Sequence, residues 1–262
     1  MNPAPFRIPD RFNAARFFVD RHVEEAEKRY DISSLRLCVS AGEALPEEIY
    51  RRWRERFNVE ILDGIGTTEI LHIFLSNRPG QARPGASGVP VPGYEAMVVD
   101  DRGHPVPPGE IGNLRVKGDS TIAYYWNQHQ NTKATLFGDR IHTGDMYYRD
   151  EDGFFWYCGR ADDMLKVGGI WVSPVEAESA MIGHPAVLES AVVGQEDSDR
   201  LIKPKAFVVL KDGYAAGPAI DPELKNFVKD KITPYKYPRW IEFVSDLPKT
   251  ATGKIQRFKL RR

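Results

Sequence analysis

Val59-Glu60-Ile61-Leu62-Asp63-Gly64-Ile65-Gly66-Thr67-Thr68-Glu69 decides how this chain is read. Residues 59–62 read as a strand. Residues 63–69 read as the loop after it, carrying two glycines, two hydroxyls and two acids. Loops at the carboxyl ends of strands are where open α/β sheets bind ligands. Glycine lets the backbone approach a phosphate, and threonine hydroxyls donate to its oxygens. A carboxylate such as Glu69 holds Mg²⁺, which takes oxygen ligands and keeps waters. The bland alternative is an ordinary turn with Glu69 in the first turn of a helix. His72 would share a face with Glu69 on such a helix. It reads as a substrate contact or as a packed or solvated histidine.

Upstream, residues 46–57 have a helical pattern, with Pro46 in the first turn and Trp53 and Phe57 on one face. Residues 35–39 form a shorter strand that runs into Ser40-Ala41-Gly42-Glu43. Strand, helix, strand and loop make an α/β pattern. Residues 1–11 are proline-rich and read as extended. Asn13 reads as the cap of a helix reaching Tyr30, with Ala15, Phe18, Val19, Val23 and Ala26 at helical spacing.

Downstream the character changes. Residues 89–99, 113–116 and 153–157 read as strands between turns such as Asp101-Arg102-Gly103 and Asp150-Glu151-Asp152-Gly153, so residues 83–160 form a β-rich module. Thr143-Gly144-Asp145 closes a strand-like run within it. Residues 164–262 turn to an α+β pattern: helices at 175–181 and 222–231, strands at 188–193, 205–210 and 240–244. Ser173, Pro174 and Glu176 have the spacing of a helix cap. His184, before Pro185, reads as a structural helix-end residue.

The 262 residues suffice for one large or two modest domains, and 42% hydrophobic content supports a core. Balanced charge, 36 basic against 37 acidic residues, favours neither nucleic acid nor an anionic membrane. Cys38 and Cys158 make no disulfide framework, which fits a reducing cytoplasm, and Cys38 reads as core. No signal pattern or spanning apolar stretch is present, so the expectation is a soluble, cytoplasmic protein. No Ser/His/Asp nucleophile motif and no zinc spacing of Cys and His occur.

Three further segments carry chemistry. Asp145 has the character of an acid that accepts from a ribose diol, or of a plain turn aspartate. Gly159-Arg160-Ala161-Asp162-Asp163-Met164-Leu165-Lys166-Val167-Gly168-Gly169 suits a hinge, or a charged linker leading into a β-hairpin. Pro248-Lys249-Thr250-Ala251-Thr252-Gly253-Lys254-Ile255-Gln256-Arg257 places a lysine beside a glycine turn. It is not a P-loop, because Ile255 follows the lysine. A lysine there is either solvated or swung onto a reacting phosphate or carboxylate.

In order and spacing, residues 63–69, Gly109-Glu110-Ile111-Gly112, Thr143-Gly144-Asp145, residues 159–169 and residues 248–257 resemble the later core motifs of the adenylate-forming superfamily. Residues 63–74, with residues 36–46 before them, resemble benzoate-CoA ligases in particular, as does Phe12-Asn13-Ala14-Ala15. The resemblance implies an α/β piece and a β-rich module, remnants of the large AMP-binding domain, over residues 1–160. A small mobile α+β C-terminal domain follows over 161–262. It implies ATP-dependent formation of an acyl-adenylate, then thioesterification with coenzyme A. Ser40, Gly42, Glu43, Asp63, Gly64 and Ile65 would line the adenine. Thr67 or Thr68 would touch the α-phosphate and Glu69 would hold Mg²⁺. Asp145 and Arg160 would bind the ribose, and Asp162 would be the hinge. Gly168 and Gly169 would line the pantetheine channel, and Ile70 and His72 the aromatic carboxylate pocket. Lys254 would stabilise charge developing during adenylation, a role typically worth about 3–4 kcal/mol.

The chain departs from the family in one large respect. The Ser/Thr/Gly-rich phosphate loop with its lysine is absent, and the family's N-terminal start passes into its second half near residues 25–30. The expectation is therefore an aryl-CoA ligase by descent, with little or no activity as this chain. A non-catalytic AMP-binding or interaction remnant is the alternative, and an artefact of assembly the third. Sequencing the source DNA across residues 25–30 separates the last two. A peptide-synthetase reading is disfavoured, since no carrier segment follows Arg262. Parts of the core would lack a partner layer and expose apolar surface. The sequence leaves the particular acid and the oligomeric state open.

Overall fold

The computed structural model describes residues 11–13, 33–250 and 253–261. The helix expected from Asn13 to Tyr30 and the seam near residues 25–30 lie outside the described residues. The chain divides into two compact units, the first ending at Tyr157 and the second beginning at Cys158.

The first unit opens on a five-stranded sheet in the order β1 (Arg11–Asn13), β2 (Leu37–Ala41), β3 (Ile61–Gly66), β4 (Ile73–Ser76), β5 (Val89–Pro90). β1, β2 and β3 are parallel, and β4 and β5 are antiparallel additions. Helix α1 (Glu47–Phe57) connects β2 to β3. Glu47 and Glu48 lie in its first turn and Arg54 and Arg56 in its last, matching the helix dipole. Asn58 ends it at φ 52°, its N–H donating to the Arg54 carbonyl. Ile49 and Trp53 pack with Leu35, Cys38, Leu45 and Ile61, so Cys38 is core.

Two boundaries differ from expectation. β3 does not stop at Leu62 but continues through Asp63 to Gly66. The reason is close approach by β4: a Cβ on Gly64 would stand 2.6 Å from the Leu75 carbonyl oxygen, and one on Gly66 2.4 Å from that of His72. Both glycines therefore admit the backbone of β4. Residues 67–72 then turn instead of starting a helix, with Leu71 at φ 67°, so Glu69 and His72 share no helix face.

The β-rich module has strand order β10 (Phe155–Arg160), β9 (Arg140–Arg149), β7 (Gly112–Gly118), β6 (Tyr94–Val99), with β8 (Leu136–Phe137) on β9. Thr143-Gly144-Asp145 lies inside the ten-residue β9, not at its end. The register slips there, with Asn113 opposite Met146 but Arg115 opposite His142, and Gly144 takes φ 75°. It is a bulge, which re-aims the following side chain. A short helix α2 (His129–Thr135), absent from the sequence reading, buries none of its residues. Ile70, Phe74 and Leu75 share one core with Val98, Leu114, Val116, Ile141, Tyr147 and Phe155. The 67–72 loop is thus anchored to the β module. Leu71, Tyr124, Trp126 and Phe137 stand exposed in this unit.

In the second unit, the hairpin β11 (Leu165–Val167) and β12 (Ile170–Val172) precedes α3 (Pro174–Ile182). Ser173 caps α3 as its sequence implied, accepting from the Glu176 N–H at 3.1 Å. The sheet is β13 (Val187–Glu196), β14 (Ile202–Leu210), β15 (Trp240–Phe243), with α4 (Ile220–Lys231) between β14 and β15. Alternation along β13 and β14 buries both faces. Val192, Ala206 and Val208 meet α3 and α4, while Ala191, Val193, Phe207 and Val209 meet Leu247, Ile255 and Leu260 of the tail. His184 is buried and tied to Glu223 and the Ala186 N–H, a structural role. With a core on each face, residues 158–262 expressed alone are expected to give a dispersed amide spectrum and cooperative urea unfolding. A collapsed spectrum would defeat this.

Candidate active site

In the first unit the site is built on the carboxyl ends of β2 and β3. Their register sets Ser40 beside Asp63 and Ala41 beside Gly64. Side chains of paired neighbours share a face, so Ser40 and Asp63 are both buried together. Asp63 Oδ2 accepts from the Leu45 N–H at 3.4 Å, and the Ser40 hydroxyl and the Gly64 N–H also donate to the carboxyl. Oδ1 is buried without a partner in the protein. Burial outweighs these donors and pushes the Asp63 carboxyl up to about 7. Gly42 follows in an exposed bend at φ 100°, a conformation that requires glycine, with half-buried Glu43 next to it.

After β3, the Thr67 and Thr68 carbonyls accept from the N–H groups of Ile70 and Leu71, giving two overlapping turns. Thr67 Oγ1 is a second buried atom with no partner, whereas Thr68 is exposed. Glu69 is half-buried, and its carboxylate accepts from the Tyr125 hydroxyl at 2.7 Å. Ile70, expected to line an acyl pocket, is fully buried in the shared core. His72 is exposed and turns its Nδ1 to the adjacent Ile73 carbonyl.

The β9 bulge buries Asp145, whose N–H donates to Thr143 Oγ1 at 3.1 Å. Tyr147, one pleat on, is buried with its hydroxyl 3.0 Å from Ser87 Oγ. Burial raises its phenol well above the ordinary range, and the charges of Asp145 and Asp63 add to the effect. Both buried acids therefore act on one phenol, which the sequence reading did not single out. Among the described residues no cluster of three His, Cys, Asp or Glu forms a metal site. Glu69 offers a single carboxylate, which fits Mg²⁺ held mainly by nucleotide phosphates. The unpartnered Asp63 Oδ1 and Thr67 Oγ1 fit a nucleotide's donors and phosphate oxygens.

In the second unit, exposed Arg160 starts a turn, its carbonyl accepting from Asp163 and Met164 N–H groups. Asp162 is exposed in that turn. Gly168 and Gly169 join β11 to β12 at φ 57° and 85°, the pair of left-handed residues a two-residue hairpin needs. A Cβ on either would meet nothing within 4 Å, so conformation and not space selects glycine.

Lys254 is exposed on a narrow hairpin. Its N–H donates to Thr250 Oγ1 at 3.0 Å and its carbonyl accepts from the Thr250 N–H at 2.8 Å. Gly253 reaches φ 88° to close the turn. Lys249 anchors one side through Glu189 at 2.6 Å. Arg257 anchors the other, its Nε and Nη2 reaching the two oxygens of buried Glu178 at 2.9 and 2.7 Å. Arg257 and Arg261 also pair with Asp163 in the turn that Arg160 starts. Burial still outweighs both guanidiniums and leaves the Asp163 carboxyl above its ordinary value.

A parallel strand pair ending in buried polar atoms, a bulged β module, and a separate α+β unit with a clamped lysine hairpin define an adenylate-forming protein. The chain belongs to the AMP-binding enzyme family: residues 9–126 match the AMP-binding enzyme domain and residues 176–254 the AMP-binding enzyme C-terminal domain. It is 60% identical over 228 residues to a benzoate–CoA ligase of Thauera aromatica, covering 87% of this chain and 43% of that one. The crystal structure of an anthranilate CoA ligase in complex with anthranoyl-AMP aligns at TM-score 0.92 and 52% identity, covering 96% of this chain and 49% of the other. A benzoate CoA ligase from Burkholderia xenovorans aligns at 0.88 and 51%, covering 97% and 51%. The chain thus spans about half, or less, of these relatives' lengths. Among the described residues no helix is long and apolar enough to cross a membrane.

Proposed function

We propose that the chain is the nucleotide-binding and thioester-forming portion of an aryl-carboxylate–CoA ligase. The observation that carries this is the pair of buried, unpartnered atoms, Asp63 Oδ1 and Thr67 Oγ1, at the end of β3. Polar atoms buried without partners are uncommon and call for a ligand or a water. Similarity to a ligase holding an aryl-adenylate supports the choice of ligand.

In the reaction, an aromatic carboxylate oxygen attacks the α-phosphorus of ATP, and pyrophosphate leaves. The coenzyme A thiol then attacks the acyl carbon, loses its proton and expels AMP. Ser40, Gly42, Glu43, Asp63, Gly64 and Ile65 border the adenine, where Asp63 Oδ1 accepts from its amino group. Thr67 Oγ1 donates to the α-phosphate, with Thr68 beside it. Glu69 holds Mg²⁺, which when bound neutralises phosphate charge. Asp145 and Arg160 take the ribose hydroxyls, His72 borders the acyl group, and Gly168 and Gly169 border pantetheine. Asp162 is the pivot. Lys254 meets the charge developing on the carboxylate and phosphate.

Holding the adenosine end and performing the chemistry are separable. Positioning and charge stabilisation act as a unit, and these 262 residues contain no Ser/Thr/Gly-rich loop followed by lysine to hold pyrophosphate. The chain on its own is expected to bind AMP in calorimetry, with Asp63→Ala abolishing binding. It is also expected to show no benzoate-dependent ATP–pyrophosphate exchange above a Lys254→Ala control. Absence of AMP binding would refute the nucleotide assignment, and exchange above the control would refute the predicted inactivity. A non-catalytic AMP-binding role is what the first result alone would leave.

A further inference from the structure

Glu69 sits on a turn with no regular structure of its own, yet it is fixed from outside by residues more than fifty positions later. The Tyr125 hydroxyl donates to its carboxylate at 2.7 Å. The Ile122 N–H donates to its backbone carbonyl at 2.9 Å. Ser120 Oγ donates to the next carbonyl, that of Ile70, at 2.6 Å, and Tyr94 OH lies 2.9 Å from the same Ser120 oxygen. Three consecutive ties therefore join residues 120–125 to residues 69–70.

Tyr125 is itself held. Its N–H donates to Thr132 Oγ1 at 3.0 Å, and the Thr135 hydroxyl donates to its phenol oxygen. Both threonines lie on α2, the helix that buries no residue of its own. A polar helix of seven residues contributes no core, and these two contacts tie it to Tyr125. Tyr124 and Trp126 on either side are 58% and 82% exposed, so only the middle ring of the three turns inward. A phenol that donates to a carboxylate favours its ionised form and removes its rotational freedom.

We propose that Tyr125 is a positioning residue for Glu69, held by α2 so that the carboxylate meets a divalent cation on the nucleotide phosphates in one orientation. This rests on the nucleotide reading above and adds to it a residue acting through Glu69 without touching the nucleotide. Hydrogen-bond partners of a metal-binding carboxylate typically contribute about 10–100-fold to metal affinity.

The test is calorimetry on the 262-residue chain with three titrants: AMP without metal, ATP with Mg²⁺, and ATP with EDTA. The parent is expected to bind AMP, and to bind ATP more tightly with Mg²⁺ than with EDTA. Tyr125→Phe is expected to keep AMP affinity within about twofold while its Mg²⁺-dependent gain in ATP affinity falls about tenfold. Tyr94→Phe, which loosens the lacing at Ser120 but leaves the Glu69 contact, is expected to keep that gain. An unchanged gain in Tyr125→Phe overturns the proposal. So does an equal loss for AMP and Mg²⁺·ATP, because a structural defect lowers both. A parent that binds AMP but shows no Mg²⁺ gain overturns it while leaving the nucleotide reading standing. A parent that binds no AMP sinks the nucleotide reading and this proposal with it.

Discussion

Replacing Arg257 with alanine is expected to destabilise the second unit by about 3–5 kcal/mol, the usual consequence of stranding one member of a buried ion pair. Glu178 projects from α3 with its side chain 4% exposed, and it accepts three hydrogen bonds. Two come from Arg257 and one, at 2.8 Å, from the Val192 N–H of β13. Removing the guanidinium leaves a carboxylate that water reaches poorly. The loss is of partnership more than of attraction, and a second substitution separates the two. Glu178→Gln in the Arg257→Ala background removes the stranded charge, and its amide oxygen still accepts from Val192. The double variant is expected to recover more than half of the lost stability. Urea unfolding of the two variants and the parent measures this. A single-variant loss below about 1 kcal/mol would show that the pair is solvated and contributes as little as a surface bridge. The same substitution also frees one anchor of the Lys254 hairpin, so amide exchange at Lys254 and Ile255 is expected to quicken before the core opens.

Arg257 and Glu178 are 79 residues apart, and Tyr125 and Glu69 are 56 apart, and separations of that size set the limit of sequence reading. Local chemistry was legible. The Ser173 cap, α1 with its buried Trp53, the strands β13 and β14, and the acid and hydroxyls after β3 all follow from neighbouring residues. The extent of β3 did not, because glycine within a strand reads as a break until the facing backbone of β4 is known to come within 2.6 Å of a Cβ at Gly64. β9 was read only as far as Asp145 for a related reason. Its bulge interrupts alternation, leaving His142, Thr143 and Gly144 only part-buried amid buried residues. α2 has no apolar stripe to detect, since it buries none of its residues. In the site, Thr67 could be named from type and position, and Asp63 only through the family resemblance. That one oxygen of each lies buried and unpartnered is a property of the packed sheet alone.

Asp63 is expected to make the stability of the first unit fall as pH rises from about 4 to about 7, and Asp63→Asn is expected to remove that slope. The native carboxyl is pushed up to about 7 by burial, while an unfolded aspartate titrates near 3.9. Between these values the native state holds a proton that the unfolded state has released. Stability is therefore full below the unfolded pKa and declines with increasing pH until the native group ionises. The decline is about 1.4 kcal/mol per pH unit, or about 4 kcal/mol across the whole window. Asparagine keeps an oxygen for the Leu45 N–H and never ionises, so the difference between variant and parent, not either absolute value, isolates the charge. Chemical unfolding at pH 5, 6, 7 and 8 is the measurement, and parallel curves for parent and variant would show that Asp63 is ionised and solvated throughout. The same charge connects stability to binding. A ligand amino group donating to Oδ1 supplies the partner that the ionised form lacks, so it favours ionisation. AMP is therefore expected to raise the unfolding temperature of the parent more at pH 8 than at pH 6. In Asp63→Asn the AMP-induced shift is expected to be smaller and the same at both. A pH-independent AMP shift in the parent would separate nucleotide binding from this carboxylate.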